Sequence, residues 1–313
     1  MTYSIVARDP RTGELGVAVQ SHYFSVGSVV TWARAGVGAV ATQSMAEPSY
    51  GPLGLELISS GKSSEEALRA LLAADQKSEF RQVAMVDSQG RVAVRTGAKC
   101  IPFAGHVTGE QFSCEANLMS NGTIWGAMKD AYIANANLPL AERLVAALEG
   151  GERAGGDIRG KQSAALLVVS PNTSPVNWTG RLVELRVEDH PDPVEELKRL
   201  LRLKRGYEWA ERGDDLLTSQ KFEESVDAFA RARELAPEVE ELSFWEGISL
   251  LESGRIREAG EVLRPLLERE DDRWVQVARS MRQAGMLNAT DETLAKLSVH
   301  LLLHPPIKGK SGT

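Results

Sequence analysis

The chain has 313 residues, 42% of them hydrophobic and 25% charged, and a formal net charge of −7. That composition fits a globular chain long enough for two domains. Split near residue 196, both parts are net acidic. This excludes the basic face that nucleic acid demands.

No apolar run reaches a membrane-spanning length of about 18 residues, and no basic stretch followed by an apolar core marks a secretory leader. Cys100 and Cys114 make neither a disulfide framework nor a zinc site, and the five histidines are scattered. The expectation is a cytoplasmic protein with no metal, no cofactor, no nucleic-acid partner and no membrane contact.

Residues 3–8 alternate and are β-rich, so they predict a strand. Asp9-Pro10-Arg11-Thr12-Gly13 reads as a turn, and residues 14–20 as the returning strand of a hairpin. Ser21-His22-Tyr23-Phe24 follows. Residues 37–42 are a further short β run. The pattern turns helical from Pro48 and stops at Gly61. Ser63 or Ser64 caps a second helix, with Glu65 and Glu66 in its first turn. Gln82–Asp87 and Arg91–Arg95 form a second hairpin, and Phe112–Ser120 is another strand.

Asn121 caps a helix to about Ala136. Pro139 opens the next, expected to stop at Gly150-Gly151. The loop Asp157–Gln162 leads into Ser163–Val169, an almost unbroken apolar strand expected to be buried on both faces. Leu182–Val187 is the last strand, and a helix starts at Val194. Hairpins of strands and pairs of helices predict antiparallel sheets with helices on their outer faces, not a doubly wound sheet.

From residue 204 strand signals vanish. Gly213 and Gly247, Ser225 and Ala259, and Phe229 and Leu263 are each 34 apart. With Ala232 and Pro237 in the first copy, these positions resemble a tetratricopeptide repeat, a helical hairpin whose apolar face needs a neighbour. Trp274–Ala284 and Asp291–Leu303 read as capping helices, and the tail from Pro305 as disordered. The expected division is a domain over 1–196, a linker helix over 197–205, a helical domain over 206–303 and a tail over 304–313.

The candidate chemistry starts at Thr2. A small residue behind the initiator Met is commonly exposed by trimming. A threonine so exposed has a hydroxyl beside an α-amine of pKa about 7.7–8.0, the pairing of an N-terminal nucleophile. Ser4 points to the same strand face and is the rival nucleophile. The hairpin register would bring Gln20, Ser21 and His22 near Thr2. Asp157, Arg159 and Gln162 lie in a glycine-rich loop ahead of a buried strand. His106, between two glycines, is a candidate acid–base group. Asn117 and Asn121 are candidate oxyanion donors. No nucleophile elbow, phosphate-binding loop or dinucleotide fingerprint is present.

The runs Thr2 to Asp9, Ala35 to Gln43, Gly105 to Gly109, Asp157 to Ser163 and Asp189 to Val194 resemble the family called domain of unknown function 1028. The resemblance spans about residues 1–196. It implies an Ntn-hydrolase-like fold, a four-layer αββα sandwich, so that the whole chain would be α+β with an all-α tetratricopeptide-like domain behind it. It also implies amide-bond hydrolysis with Thr2 as nucleophile once Met1 is lost, Ser4, Ser21, His22 and Asp157 around it, and His106, Asn121, Arg159 and Gln162 toward a small amide or peptide substrate. One departure stands out. Proteasome-type enzymes carry a lysine on a strand soon after the second one. Here no lysine precedes Lys62, and Arg34 is the only cation near that place. The alternative is a catalytically silent scaffold presenting a peptide-binding helical module, with a protein or peptide partner there or a second copy of the chain.

Overall fold

The computed structural model describes residues 2–173, 176, 179–267 and 273–287. The chain is α+β: a sheet-rich unit, Met1–Leu201, and a second unit, Arg202–Thr313, whose described elements are all helices. The first unit holds β1 (Thr2–Arg8), β2 (Leu15–Ser21), α1 (Gly27–Val30), β3 (Thr31–Arg34), β4 (Gly38–Ser44), α2 (Tyr50–Ser59), α3 (Ser64–Ala74), β5 (Arg81–Asp87) and β6 (Val92–Thr96). It continues with β7 (Gly105–Gly109), β8 (Phe112–Asn117), α4 (Ile124–Ala134), α5 (Leu140–Arg153), β9 (Ser163–Val169), β10 (Arg181–Val187) and the first turns of α6 (Pro193–Thr218).

Two antiparallel sheets form, in the orders β10-β9-β2-β1-β8-β7 and β3-β4-β5-β6. Strand β1 is central in the larger one, and its period-2 pattern explains the layering. Tyr3, Ile5 and Ala7 pack with Met128, Leu144 and Leu148 of α4 and α5, and with Leu197 of α6. Val6 on the opposite face packs with Val17, Val19, Ala41 and Ala84 between the sheets. Beyond the smaller sheet, Val40, Val83 and Met85 meet Leu55, Ile58 and Leu68 of α2 and α3. The layers are therefore helix, sheet, sheet, helix. Each buried aliphatic side chain contributes about 1.5–3 kcal/mol of transfer free energy.

The α3 start is a capping box: Ser63 Oγ accepts the Glu66 N–H and the Glu66 carboxylate accepts the Ser63 N–H. Helix α5 does not stop at Gly150-Gly151 but runs to Arg153. Those glycines permit close approach. A Cβ on Gly150 would lie 2.7 Å from Ala131 Cβ, and one on Gly151 3.2 Å from the Tyr3 ring. Packing of α5 on α4 and β1 outweighs the roughly 1 kcal/mol helix penalty of each glycine. Strand β8 ends at Asn117, three residues short of expectation, because Leu118 turns left-handed at φ 53°. Strands β3 and β7 were not expected from sequence. Both are short edge strands, one weakly alternating and one bracketed by glycines.

In the helical unit, the remainder of α6 is followed by α7 (Phe222–Leu235), α8 (Glu240–Glu252), α9 (Ile256–Leu267) and α10 (Arg273–Gln283). A Cβ on Gly213 would lie 2.7 Å from the Phe229 ring, and one on Gly247 2.3 Å from Leu263. Both members of these pairs are 34 apart in sequence, so the same glycine-against-large-residue contact occurs twice. Ser225 donates to the Gly213 carbonyl at 2.9 Å, tying α7 to α6. The expected helix at 291–303 and the tail lie outside the described residues.

Candidate functional site

The hairpin register pairs Thr2 with Ser21 on one side, and β8 pairs Asn117 with Thr2 on the other. Thr2 Oγ1 and Ser21 Oγ are 3.1 Å apart, a buried hydroxyl–hydroxyl hydrogen bond. Gln20 pairs with Tyr3 and so faces the helix side of the sheet, away from Thr2.

Below Thr2 the inter-sheet space changes from apolar to polar. Ser4 Oγ lies 2.8 Å from Gln43 Oε1 and 2.6 Å from Glu115 Oε1. Ser113 Oγ donates to Glu115 Oε2 at 2.9 Å. Gln43 Nε2 donates to Gln82 Oε1 at 2.7 Å, and Asn117 Nδ2 donates to the same oxygen at 2.9 Å. The two amides also converge on the Thr2 carbonyl, at 3.5 Å from Gln43 and 3.3 Å from Asn117. The two protons of Gln82 Nε2 are shared among three acceptors, Thr96 Oγ1 at 2.8 Å and the Gly105 and Ala116 carbonyls at 3.1 and 2.9 Å. Thr96 Oγ1 then meets His106 Nδ1 at 2.8 Å. Ser4, Gln43, Gln82, Glu115 and Asn117 are all buried. Among the described residues no cation lies beside Glu115, and burial pushes its pKa up to about 8.

Gln43, Gln82 and Glu115 escaped the sequence reading. Gln43 and Gln82 carried a signal, each a polar residue beside Ala39 and Ala41 or Ala84 and Val86 on an inward strand face, where an unpaired polar group is costly; the inward face of β8 is polar throughout, Ser113, Glu115 and Asn117.

Asp157 is buried and pairs with Arg159 through two oxygens, at 2.7 and 3.1 Å. It also accepts the backbone N–H of His22 at 3.2 Å. Thus it ties the loop after β2 to the loop before β9. His22 is exposed, with Nδ1 3.3 Å from the Lys161 carbonyl. Gln162 Nε2 donates to Asp189 Oδ1 at 3.1 Å and does not join the Thr2 network. Asn121 spends its amide on the Ala154 carbonyl and Ser120 Oγ, and its Oδ1 accepts from Thr123. It is a loop anchor, whereas Asn117 is the asparagine beside Thr2. Asn117 Oδ1 is buried and accepts no hydrogen bond among the described residues.

His106 joins the network at its outer end on β7, where the residue is exposed but partial desolvation of its ring by the neighbouring strands lowers its pKa. Arg34 sits opposite Gly38, at the end of β4 remote from Gln43, and pairs with Glu56 at 2.8 Å. It does not take the place of the expected lysine. Among the described residues, no group of three or more His, Cys, Asp or Glu side chains is placed to hold a metal ion. Nor is any described helix long and apolar enough to cross a membrane.

The backbone at this end of the sandwich is strained. Ser25, Ser44, Phe103 and Leu118 all have φ between 50° and 71°. A left-handed non-glycine residue costs roughly 1–2 kcal/mol. Each lies close in sequence, or through a backbone hydrogen bond, to a strand end next to Thr2. Met119 N donates to the Phe103 carbonyl, and Leu118 N to the Ile101 carbonyl. The same loops expose Tyr23, Phe24, Met45, Ile101 and Phe103, and the loop before β9, bonded to Leu118, exposes Ile158.

No curated protein matches the chain. Among solved structures it is similar to protein SPO2555 from Silicibacter pomeroyi, itself assigned to DUF1028. The two are 31% identical with a TM-score of 0.58, over 64% of this chain and 88% of that one. The model of the family of unknown function DUF1028 matches residues 2–197, well over half the chain, and the chain belongs to that family.

Proposed function

We propose that the chain is an Ntn-hydrolase-like amidohydrolase in which Thr2, freed of Met1, is the nucleophile toward a small amide or peptide bearing an apolar group. The observation that carries this reading is the position of Thr2. Its hydroxyl meets Ser21 at the end of a buried polar network, where strained loops and exposed apolar side chains converge. Strain concentrated around one end of a rigid scaffold is a mark of functional sites.

The chemistry follows from the residue type. The neutral α-amine takes the Thr2 hydroxyl proton as Oγ1 attacks the amide carbon. The tetrahedral intermediate collapses, the leaving amine departs with that proton, and water hydrolyses the resulting ester. Asn117 Oδ1, a buried acceptor on the residue opposite Thr2, suits a donor such as that amine. Ser4 is the weaker nucleophile, since its hydroxyl already bonds Gln43 and Glu115. The exposed Tyr23, Phe24, Met45, Ile101, Phe103 and Ile158, in loops that follow or adjoin the strand ends next to Thr2, favour an acyl or side-chain group that is aliphatic or aromatic. The helical unit, read as tetratricopeptide-like from its two glycine contacts 34 residues apart, would bind a peptide or a partner subunit.

One observation favours the catalytically silent scaffold. The side chains around Thr2 and Ser4 are uncharged or neutralised, and Arg34 lies at the other end of its strand. Intact mass decides first whether the amine is free. Acylation of Thr2 by an apolar β-lactone, lost in Thr2→Ala, then supports the enzyme. Retained Met1 with no acylation supports the scaffold.

A further inference from the structure

The hydrogen-bond chain between the sheets has a fixed direction, and that direction sets the state of a residue at its end. Gln82 Nε2 faces two backbone carbonyls, Gly105 at 3.1 Å and Ala116 at 2.9 Å. Carbonyls only accept, so the Gln82 amide cannot be reversed. Its Oε1 must then face Gln43 and Asn117, and both must offer it their NH2 groups. Gln43 therefore presents Oε1 to Ser4. Ser4 has one hydroxyl proton and stands between two oxygens, Gln43 Oε1 at 2.8 Å and Glu115 Oε1 at 2.6 Å. The proton goes to Gln43, which has none of its own to give on that atom. Glu115 must supply the other.

From this geometry we infer that Glu115 is held as a neutral carboxylic acid that donates to Ser4, and that it acts as a positioning residue for Thr2 through Ser4 and Gln43. The role at Thr2 rests on the nucleophile reading given above; the neutral acid does not. With the acid protonated, the Gln43 NH2 is directed at Gln82 Oε1 and at the Glu115 and Thr2 carbonyls, 3.4 and 3.5 Å away. When Glu115 ionises, its proton leaves to solvent and the Ser4 hydroxyl turns to the carboxylate. Gln43 Oε1 then has no donor, and the amide that helps to hold Thr2 is released to reorient.

Among the described residues no cation faces Glu115, and its burial outweighs the two hydroxyls, Ser4 and Ser113, that favour the charged form. Strand β1 presents Ser4, β4 Gln43, β5 Gln82 and β6 Thr96, none of them ionisable at neutral pH. Strand β7 presents His106, the cross-strand partner of Glu115, whose Nδ1 meets Thr96 Oγ1. Desolvation lowers the pKa of that imidazole, which leaves it neutral where Glu115 titrates. On β8, Ser113 donates to Glu115, and Cys114 lies on the opposite face, kept a thiol by burial. Lys129 of α4 acts on Cys114 from that face. Arg8, farther along β1, is bonded to Gln111 at 2.6 Å.

Infrared difference spectroscopy of the full chain against Glu115→Gln reads the acid directly. The expected result is a protonated-carboxyl carbonyl band at neutral pH, absent from the variant, that disappears with a midpoint near 8. The Gln43 side-chain amide resonances should shift with the same midpoint in wild type and stay fixed in Glu115→Gln. Thr2 acylation should drop several-fold in Glu115→Ala and be largely rescued by Glu115→Gln. A carboxylate band at neutral pH would overturn the inference, as would a Gln43 amide indifferent to the midpoint. A protonated band with the coupled Gln43 shift, in a protein whose Thr2 is never acylated, upholds the Glu115 assignment and removes the nucleophile reading alone.

Discussion

Thr2 and Ser21 face each other across β1 and β2 as direct register partners, with their hydroxyl oxygens 3.1 Å apart. The pair is the junction between the inter-sheet network and the loop carrying His22. Ser21→Ala leaves Thr2 with one hydroxyl partner fewer. Thr2 acylation is expected to slow by about tenfold, while stability falls by only about 1 kcal/mol, the usual net worth of one hydrogen bond. Labelling rate and thermal melt together check this. An unfolded variant, or an unchanged rate, counts against the pairing.

Glu115 makes stability depend on pH in a defined direction. Below about 4.5 both native and unfolded chains hold its proton. Above that the unfolded chain releases it, whereas the native state keeps it until about 8. The contribution is therefore fully present at acid pH and lost as pH rises, by at most about 1.4 kcal/mol per unit. Glu115→Gln mimics the neutral acid and should flatten this part of the profile. Urea unfolding of both proteins across that window measures it. A wild-type profile parallel to that of the variant would contradict the assignment.

Asp157 has a structural task that its sequence context left open. Its carboxylate holds Arg159 and the His22 N–H at once. Asp157→Asn keeps the shape but removes the charge from a pair whose acid is buried, so a loss of roughly 1–3 kcal/mol is expected. Hydrogen exchange should quicken in residues 155–162 and at His22, with Thr2 acylation falling as a consequence. Fast exchange elsewhere in the sandwich, or none at these residues, would show that the tie does not hold the two loops.

How much was readable follows from which forces act locally. The β1–β2 hairpin, the start of α3 and the apolar β9 are set by alternation, turn residues and caps within a few positions, and each was legible, with the α3 cap left between Ser63 and Ser64. The same local rules misread Gly150-Gly151 as a stop, because the reason for those glycines is the Ala131 methyl and the Tyr3 ring, distant in sequence. Strand β7 was missed because its pairing partner β8, not its own composition, makes it a strand. At the site, Thr2, Ser4 and Ser21 were legible from strand parity and hairpin register. Gln43, Gln82 and Glu115 come from three other strands, and only the stacking of two sheets brings them under Thr2.

The helical unit offers a test of its repeat. A side chain at Gly247 meets Leu263, as one at Gly213 meets Phe229. Gly247→Val should cost about 1–3 kcal/mol by overpacking, as a loss of helical signal at lower denaturant. The sheet unit should keep its own transition. Equal loss in both units would contradict a glycine contact confined to the helical repeat.

The most direct test of the central claim is mass spectrometry of the intact protein before and after exposure to an apolar β-lactone, repeated with Thr2→Ala, Ser4→Ala and Glu115→Gln across the titration of the α-amine. The account predicts a wild-type mass lacking Met1 and a single adduct on Thr2. In Glu115→Gln, where position 115 does not titrate, the adduct should form faster as pH rises through about 7.7–8.0, because only the neutral amine accepts the hydroxyl proton; in wild type the rise should be cut short as Glu115 ionises near 8. The adduct should vanish in Thr2→Ala and persist in Ser4→Ala. A protein that retains Met1 and takes no adduct, or an adduct that survives Thr2→Ala, would contradict it.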